Sequence, residues 1–150
     1  GLLRPKSRGH LQLTSSDANV AATIDTGFFA DSEDIPPILF GIQWTQELIR
    51  SPAMAAFIGA PLAIPPQQQT ELIEWVRNNH RHYWHPVGTC RMGPSSDPYA
   101  VVEYTGKVHG LEGLHVADAS VFPEVPRGTT ALPSAVVGER IARFLLNGVC

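Results

Sequence analysis

Prolines and glycines punctuate this chain along its whole length. The sequence contains 13 of each, which together exceed average usage, and they fall between short apolar segments instead of forming one linker. Short elements joined by many loops are therefore expected. A chain of 150 residues can bury roughly 70% of its unfolded surface in one domain. We predict a single loop-rich domain over residues 1–150, without repeats.

The composition excludes several classes of partner. Eleven basic and fourteen acidic residues are scattered and give a net charge of −3, so the chain offers no basic patch for a nucleic acid. The longest apolar runs, at 35–42 and 132–137, are much shorter than the roughly 20 residues of a membrane span. Residues 1–10 do not resemble a signal peptide. We expect neither a nucleic-acid nor a membrane partner.

The two cysteines, Cys90 and Cys150, are too few for a secreted disulfide framework. A reducing compartment, and hence a cytoplasmic location, is favoured.

The first half of the chain predicts short strands followed by helices. Apolar and polar residues alternate over 10–15, which is typical of a half-buried strand. Prolines at 36–37 suit the first turn of a helix, for which Ser32 and Asp34 are candidate caps. An irregular stretch over 59–66 is interpreted as a cap over a pocket. The predicted elements are strands at 10–15 and 21–29 and helices at 35–50, 52–57 and 67–80.

The second half predicts a sheet and a terminal helix. Short valine-rich runs separated by glycines indicate strands of an antiparallel or mixed sheet. Apolar residues then recur at three- and four-residue intervals from Pro133 to Gly148, which predicts an amphipathic helix. The predicted fold class is α+β, with an antiparallel or mixed sheet packed with helices. The predicted strands lie at 83–90, 101–102, 107–109 and 114–117.

The densest group of chemically active side chains is His80, His82, His85 and Cys90. Their spacing fits no familiar zinc pattern, so we predict no metal site. Without further context, these histidines would be ordinary loop residues, with Tyr83 and Trp84 filling the core.

Longer motifs favour an active site instead. Residues 83–93, YWHPVGTCRMG, closely resemble the C-terminal motif of the glucose-methanol-choline (GMC) oxidoreductases. Residues 108–120 and 138–142 resemble two further segments of that family, as do residues 3–9 and 24–25 near the start. The similarity therefore extends over almost the whole chain. It implies the C-terminal, substrate-side domain of a flavoenzyme, with a terminal helix that returns to the flavin domain.

The resemblance implies an alcohol substrate, FAD as cofactor and a histidine base. In this family a hydride passes from the alcohol carbon to the flavin while a histidine takes the hydroxyl proton, and His85 matches that histidine. An imidazole with a pKa near about 6.5 suits the role. Residues implied to lie against the cofactor are Trp84, Asp118, Ala119, Ala131 and Leu132.

Two of these positions have alternatives. Asp118 can instead be a turn residue that caps Ser120. Ala131 stands where the family usually has an asparagine or histidine that assists the base, and its methyl group makes no hydrogen bond. The neighbouring Thr130 is the alternative source of a hydroxyl. This departure bears directly on proton transfer.

The glycines contain no GxGxxG pattern, which an FAD-binding strand, turn and helix would need. We therefore expect the flavin-binding domain to be supplied by the same or another chain, and this chain alone to be inactive. The competing interpretations are a non-enzymatic stand-alone domain, a lyase of the hydroxynitrile lyase type and a metal-binding module.

Overall fold

The computed structural model describes residues 2–59 and 65–149. The chain separates into two compact units, 1–82 and 83–150, which are considered one at a time. Helices combined with a small antiparallel sheet give the α+β class expected from the sequence. The assignment of all 150 residues to one domain stays a prediction. None of the helices in the described ranges is both long and apolar enough to cross a membrane.

The first unit begins with a two-stranded antiparallel hairpin of β1 (His10–Gln12) and β2 (Thr23–Asp25). Gly9 precedes the hairpin, and a Cβ at that position would lie 2.0 Å from the carbonyl oxygen of Asp25. Both strands are shorter than predicted, and their residues are exposed. The expectation of a half-buried strand is wrong for this unit because, among its described residues, no helix packs against the hairpin.

Three helices complete the first unit: α1 (Ile35–Arg50), α2 (Pro52–Ala55) and α3 (Gln69–Asn79). The predicted bounds of α1 are confirmed. α2 and α3 are each shorter than predicted. Helices α1 and α3 pack through buried Ile35, Leu39, Leu72 and Val76. Most of the stretch expected to cap a pocket lies outside the described residues.

The predicted caps of α1 are partly wrong. The cap of the preceding 3₁₀ turn is Asp31, whose carboxylate accepts a hydrogen bond from the amide of Glu33 at 2.8 Å. The carboxylate of Asp34 is buried and accepts instead from the amides of Lys6 and Ser7, at 2.7 and 2.9 Å. Asp34 therefore fastens the N-terminal segment to α1.

The second unit is mostly irregular and ends in α4 (Ala131–Leu146). The four predicted strands are reduced to isolated bridges, which pair Met92 with Val102, Val102 with Val108, and Lys107 with His115. The segment 83–90 is wrong as a strand because Trp84 and Gly88 have positive φ and break the extended backbone. The amphipathic C-terminal helix is confirmed, with Ile141 on its buried side.

Candidate active site

The imidazole of His85 is held by the backbone two residues earlier. Its Nδ1 forms a hydrogen bond with the carbonyl oxygen of Tyr83. A carbonyl oxygen only accepts, so Nδ1 must carry the proton and donate. In the neutral ring Nε2 then has a free lone pair. The half-buried side chain is thus prepared to accept a proton at Nε2.

The aromatic residues beside His85 lie on the surface of the unit. The ring of Tyr83 stacks on the imidazole, with centroids 4.9 Å apart and planes inclined by 21°. The side chains of Tyr83 and Trp84 are 75% and 81% exposed. The interpretation that they fill the core is therefore wrong for this unit.

Three backbone hydrogen bonds tie the motif after His85 to the 3₁₀ turn Ala119–Val121. The amides of Gly88, Cys90 and Met92 donate to the successive carbonyls of the turn, at 3.3, 2.9 and 2.9 Å. Gly88 has φ of +82°, and a Cβ there would lie 3.2 Å from the carbonyl of Phe122. The two segments singled out by resemblance therefore form one rigid piece.

An apolar cluster lies behind this piece. Its buried centre is Val102, Val121 and Phe122, and Val137 brings α4 against it. Arg91, in the same motif, forms an ion pair with Asp97. Five of the residues that pack against the centre come from the matched segments 83–93 and 108–120: Val87, Met92, Val108, Val116 and Ala119. Val101 and Val137 complete the set.

Asp118 caps the turn Ala119–Val121. Its carboxylate accepts from the amide and the hydroxyl of Ser120, at 2.8 and 2.5 Å. The side-chain hydrogen bond and then the backbone hydrogen bond from Ser120 hold the pKa of Asp118 below its ordinary value. The capping alternative is confirmed for the side chain, and the role of the Asp118 main chain toward a cofactor stays a prediction.

The pKa of Asp118 predicts a pH-dependent contribution to stability. A carboxylate whose folded pKa is depressed stabilises the fold above its unfolded pKa, about 3.9, and loses that contribution as pH falls through the folded value. We expect Asp118→Asn to be less stable than wild type at neutral pH and to approach its stability in acid, once the pH has fallen below the folded pKa.

Denaturant titrations of both proteins, at neutral pH and in acid, measure this difference in the free energy of unfolding. Asp118→Ala, which also removes the acceptor, is expected to cost about 1 kcal/mol at neutral pH. A gap between Asp118→Asn and wild type that stays constant with pH would contradict the capping carboxylate.

The remaining candidate residues lie at the start of α4. Thr130 is the N-cap position, and its carbonyl accepts from the amide and hydroxyl of Ser134 at 2.9 and 2.6 Å. Its own side chain makes no capping bond. Ala131 and Leu132 are exposed in the first turn. Within the described ranges, no hydrogen bond joins His85 to any of these three residues.

The other members of the histidine group do not come together as a set of three possible metal ligands within the described residues. His80 lies in the first unit, where its Nδ1 contacts the carbonyl of Arg77 at 2.8 Å. Its ring packs edge-on against Phe28 and Phe29. Cys90 is a partly buried free thiol. The described residues contain no cluster of three possible metal ligands, and the absence of a metal stays a prediction.

The sequence did not indicate the bond from His85 to the Tyr83 carbonyl or the ion pair of Arg91 with Asp97. The first spans Trp84, which has a left-handed backbone with φ of +57°. A glycine in a sequence indicates that a left-handed conformation is possible, whereas a tryptophan gives no such indication.

These features define the class of protein. A family model described as GMC oxidoreductase matches residues 5–138, and the chain belongs to this family. The membership expected from the motifs is confirmed.

Relatives of known identity agree with this assignment. An oxygen-dependent choline dehydrogenase 1 of Chromohalobacter salexigens is 37% identical over 144 residues, covering 95% of this chain and 26% of the relative. Pyridoxine 4-oxidase from Mesorbium loti has a TM-score of 0.85 at 25% identity, over 94% of this chain and 28% of the other. A variant of formate oxidase from Aspergillus oryzae RIB40 gives 0.84 at 31%, over 95% and 25%. The chain thus spans about a quarter of these proteins.

Proposed function

We propose that this chain is the C-terminal, substrate-side part of an FAD-dependent alcohol oxidoreductase, in which His85 is the catalytic base. The observation that carries this proposal is the hydrogen bond from Nδ1 of His85 to the Tyr83 carbonyl. It leaves Nε2 as a proton acceptor in the one histidine that the family motif designates. The family membership and the names of the relatives support the reaction class.

His85 has two tasks in this reaction, and the backbone that follows it is held in place. Nε2 accepts the hydroxyl proton of the alcohol, and the Nδ1–H bond to Tyr83 stabilises the imidazolium that results. The hydrogen bonds of the segment 88–92 to the turn 119–121 hold the backbone that follows the base. Rigid placement matters because a shift of about 1 Å can cost roughly a hundredfold in rate.

The exposed groups of the second unit suit the cofactor. When bound, FAD supplies the acceptor for the hydride that leaves the alcohol carbon. The exposed faces of Trp84 and Leu132 match a flat, largely apolar ring. The first turn of α4 has no acidic residue and no side-chain cap at Thr130, so its amides favour negative charge nearby. We assign Trp84, Asp118, Ala119, Ala131 and Leu132 to the cofactor side of the site.

The methyl group of Ala131 leaves the base without a polar neighbour from that position. Thr130 is the residue of this turn that offers a hydroxyl, and we assign it an assisting role. Thr130→Val removes the hydroxyl at nearly constant shape and is the variant that tests this assignment.

The flavin-binding domain is the main partner in this proposal, and it can belong to the same polypeptide or to another. The chain matches only about a quarter of the length of the choline dehydrogenases. Choline is the first alcohol to test because those relatives are named for it. The low cysteine content supports a cytoplasmic location, which cell fractionation tests.

Anaerobic reduction tests the proposed function. The protein is assembled with its flavin-binding domain, freed of unbound FAD and mixed with choline and a series of simple primary alcohols. Loss of the yellow flavin absorbance in the presence of an alcohol is the expected result. Cleavage of a cyanohydrin without flavin reduction would identify a lyase. Failure of the assembled protein to retain FAD would identify a non-enzymatic domain.

A further inference from the structure

The residue between Tyr83 and His85 has an unusual backbone. Trp84 has φ of +57° and Phe29 has φ of +60°, and these are the two non-glycine residues with positive φ in the described part of the chain. Bulky residues rarely adopt this region because the Cβ atom approaches a carbonyl oxygen. Such conformations persist where the surrounding structure holds them, and they concentrate at functional sites.

The bend at Trp84 brings the Tyr83 carbonyl onto the imidazole. In an extended strand a carbonyl points sideways toward the neighbouring strand, whereas the side chains project above and below the sheet. A strand through residues 83–85 would therefore keep the Tyr83 oxygen away from the ring of His85. The left-handed residue turns the chain, and the oxygen meets Nδ1 while the two rings stack 4.9 Å apart.

We propose that Trp84 is a positioning residue whose left-handed backbone fixes His85 in the Nδ1–H tautomer. The inference rests on the proposed function, because it explains why Nε2 is the atom left to accept a proton. In the opposite tautomer Nε2 carries the hydrogen and can only donate. The base would then be present in the site but unable to act.

A comparison of two substitutions separates the backbone of Trp84 from its indole. Trp84→Asn and Trp84→Val both remove the indole. Asparagine tolerates the left-handed region, whereas a β-branched residue does not. Nitrogen-15 spectra of histidine-labelled intact protein, taken at about pH 8, report which nitrogen carries the proton. His85→Gln assigns the His85 signals.

The structure contains a control for folding in the same spectra. Nε2 of His109 contacts the carbonyl of Gly93 at 3.0 Å, so this ring must have the opposite tautomer, Nε2–H. His109 lies in the same unit as His85. Its unchanged signals show that a variant is folded. Should Trp84→Val lose them, Trp84→Ala replaces it as the variant that disfavours positive φ.

The expected result is an Nδ1–H signal for His85 in the wild type and in Trp84→Asn, and a mixture of tautomers in Trp84→Val. An unchanged Nδ1–H signal in the valine variant, or an Nε2–H signal in the wild type, would overturn the proposal. In the flavin-loaded protein, both variants lose the same part of the flavin-reduction rate because both lack the indole. Trp84→Val is expected to reduce flavin about tenfold more slowly than Trp84→Asn.

These results also separate the two proposals. If the spectra show the predicted tautomers but no alcohol reduces the flavin, the proposed function is contradicted and the positioning role of Trp84 is still supported. If Trp84→Val and Trp84→Asn show the same His85 tautomer and reduce flavin at equal rates, only the positioning role is contradicted.

Discussion

Replacing His85 with alanine is expected to slow flavin reduction by an alcohol about a hundredfold or more, as loss of a general base does. The variant loses the acceptor Nε2 and the hydrogen bond from Nδ1 to the Tyr83 carbonyl. Rapid mixing of the assembled, FAD-loaded protein with substrate under anaerobic conditions measures the rate of this step.

A matched control is available in the first unit. His10 lies on the exposed strand β1, where its side chain is 62% exposed, and His10→Ala is expected to leave the rate unchanged. Retention of FAD by His85→Ala shows that the site is still assembled. A rate within a few-fold of wild type in that variant would contradict the assignment of the base.

Replacing Gly106 with alanine is expected to destabilise the second unit by about 3 kcal/mol. Gly106 has φ of +83°, which costs an alanine about 1 kcal/mol. The added Cβ would lie 2.6 Å from Cδ1 of Ile141 and 2.7 Å from the carbonyl oxygen of Val116. Overpacking of this kind costs about 1–3 kcal/mol more. The side chain of Ile141 can move, but the backbone of Val116 is held because its amide donates a hydrogen bond to the carbonyl of Gly106 at 2.9 Å.

Gly110 provides the control for backbone conformation. It has φ of +75°, and nothing lies within 4 Å of a Cβ built there. Gly110→Ala is therefore expected to lose only about 1 kcal/mol. Thermal unfolding compares the two variants, because about 3 kcal/mol corresponds to roughly 6–12 °C in Tm for a chain of this size. Equal losses would contradict the predicted overpacking of the added Cβ against Ile141 and Val116.

The helices were the part of the fold that the sequence predicted well. Consecutive prolines begin α1 and a serine-proline pair ends it, so both bounds could be read from local chemistry. The strands of the second half were wrong because short valine-rich runs are equally compatible with irregular segments that cross one apolar cluster. That cluster forms from residues far apart in the sequence, Val102 and Val121 among them.

The candidate site was found by motif, and its geometry came from the structure. The motif indicated His85, but only the structure shows that the Tyr83 carbonyl is the partner of Nδ1. That partner leaves Nε2 as the nitrogen that can accept a proton. The side chain of Asp118 is occupied by Ser120, as the turn alternative expected. The hydrogen bond of His85 could not be predicted from the sequence because its acceptor is a backbone carbonyl. Every residue has such a carbonyl, so no side-chain pattern marks the partner.

In the proposed reaction an alcohol carbon transfers a hydride to FAD while His85 accepts the hydroxyl proton. The most direct measurement is anaerobic flavin reduction by choline, or by whichever alcohol the initial series identifies, with hydrogen or deuterium on the carbinol carbon. We expect the yellow flavin band to disappear, and to do so several-fold more slowly with the deuterated alcohol. A protein that holds FAD while no alcohol bleaches it, or bleaching at the same rate with both isotopes even when chemistry limits the step, would contradict hydride transfer in this site.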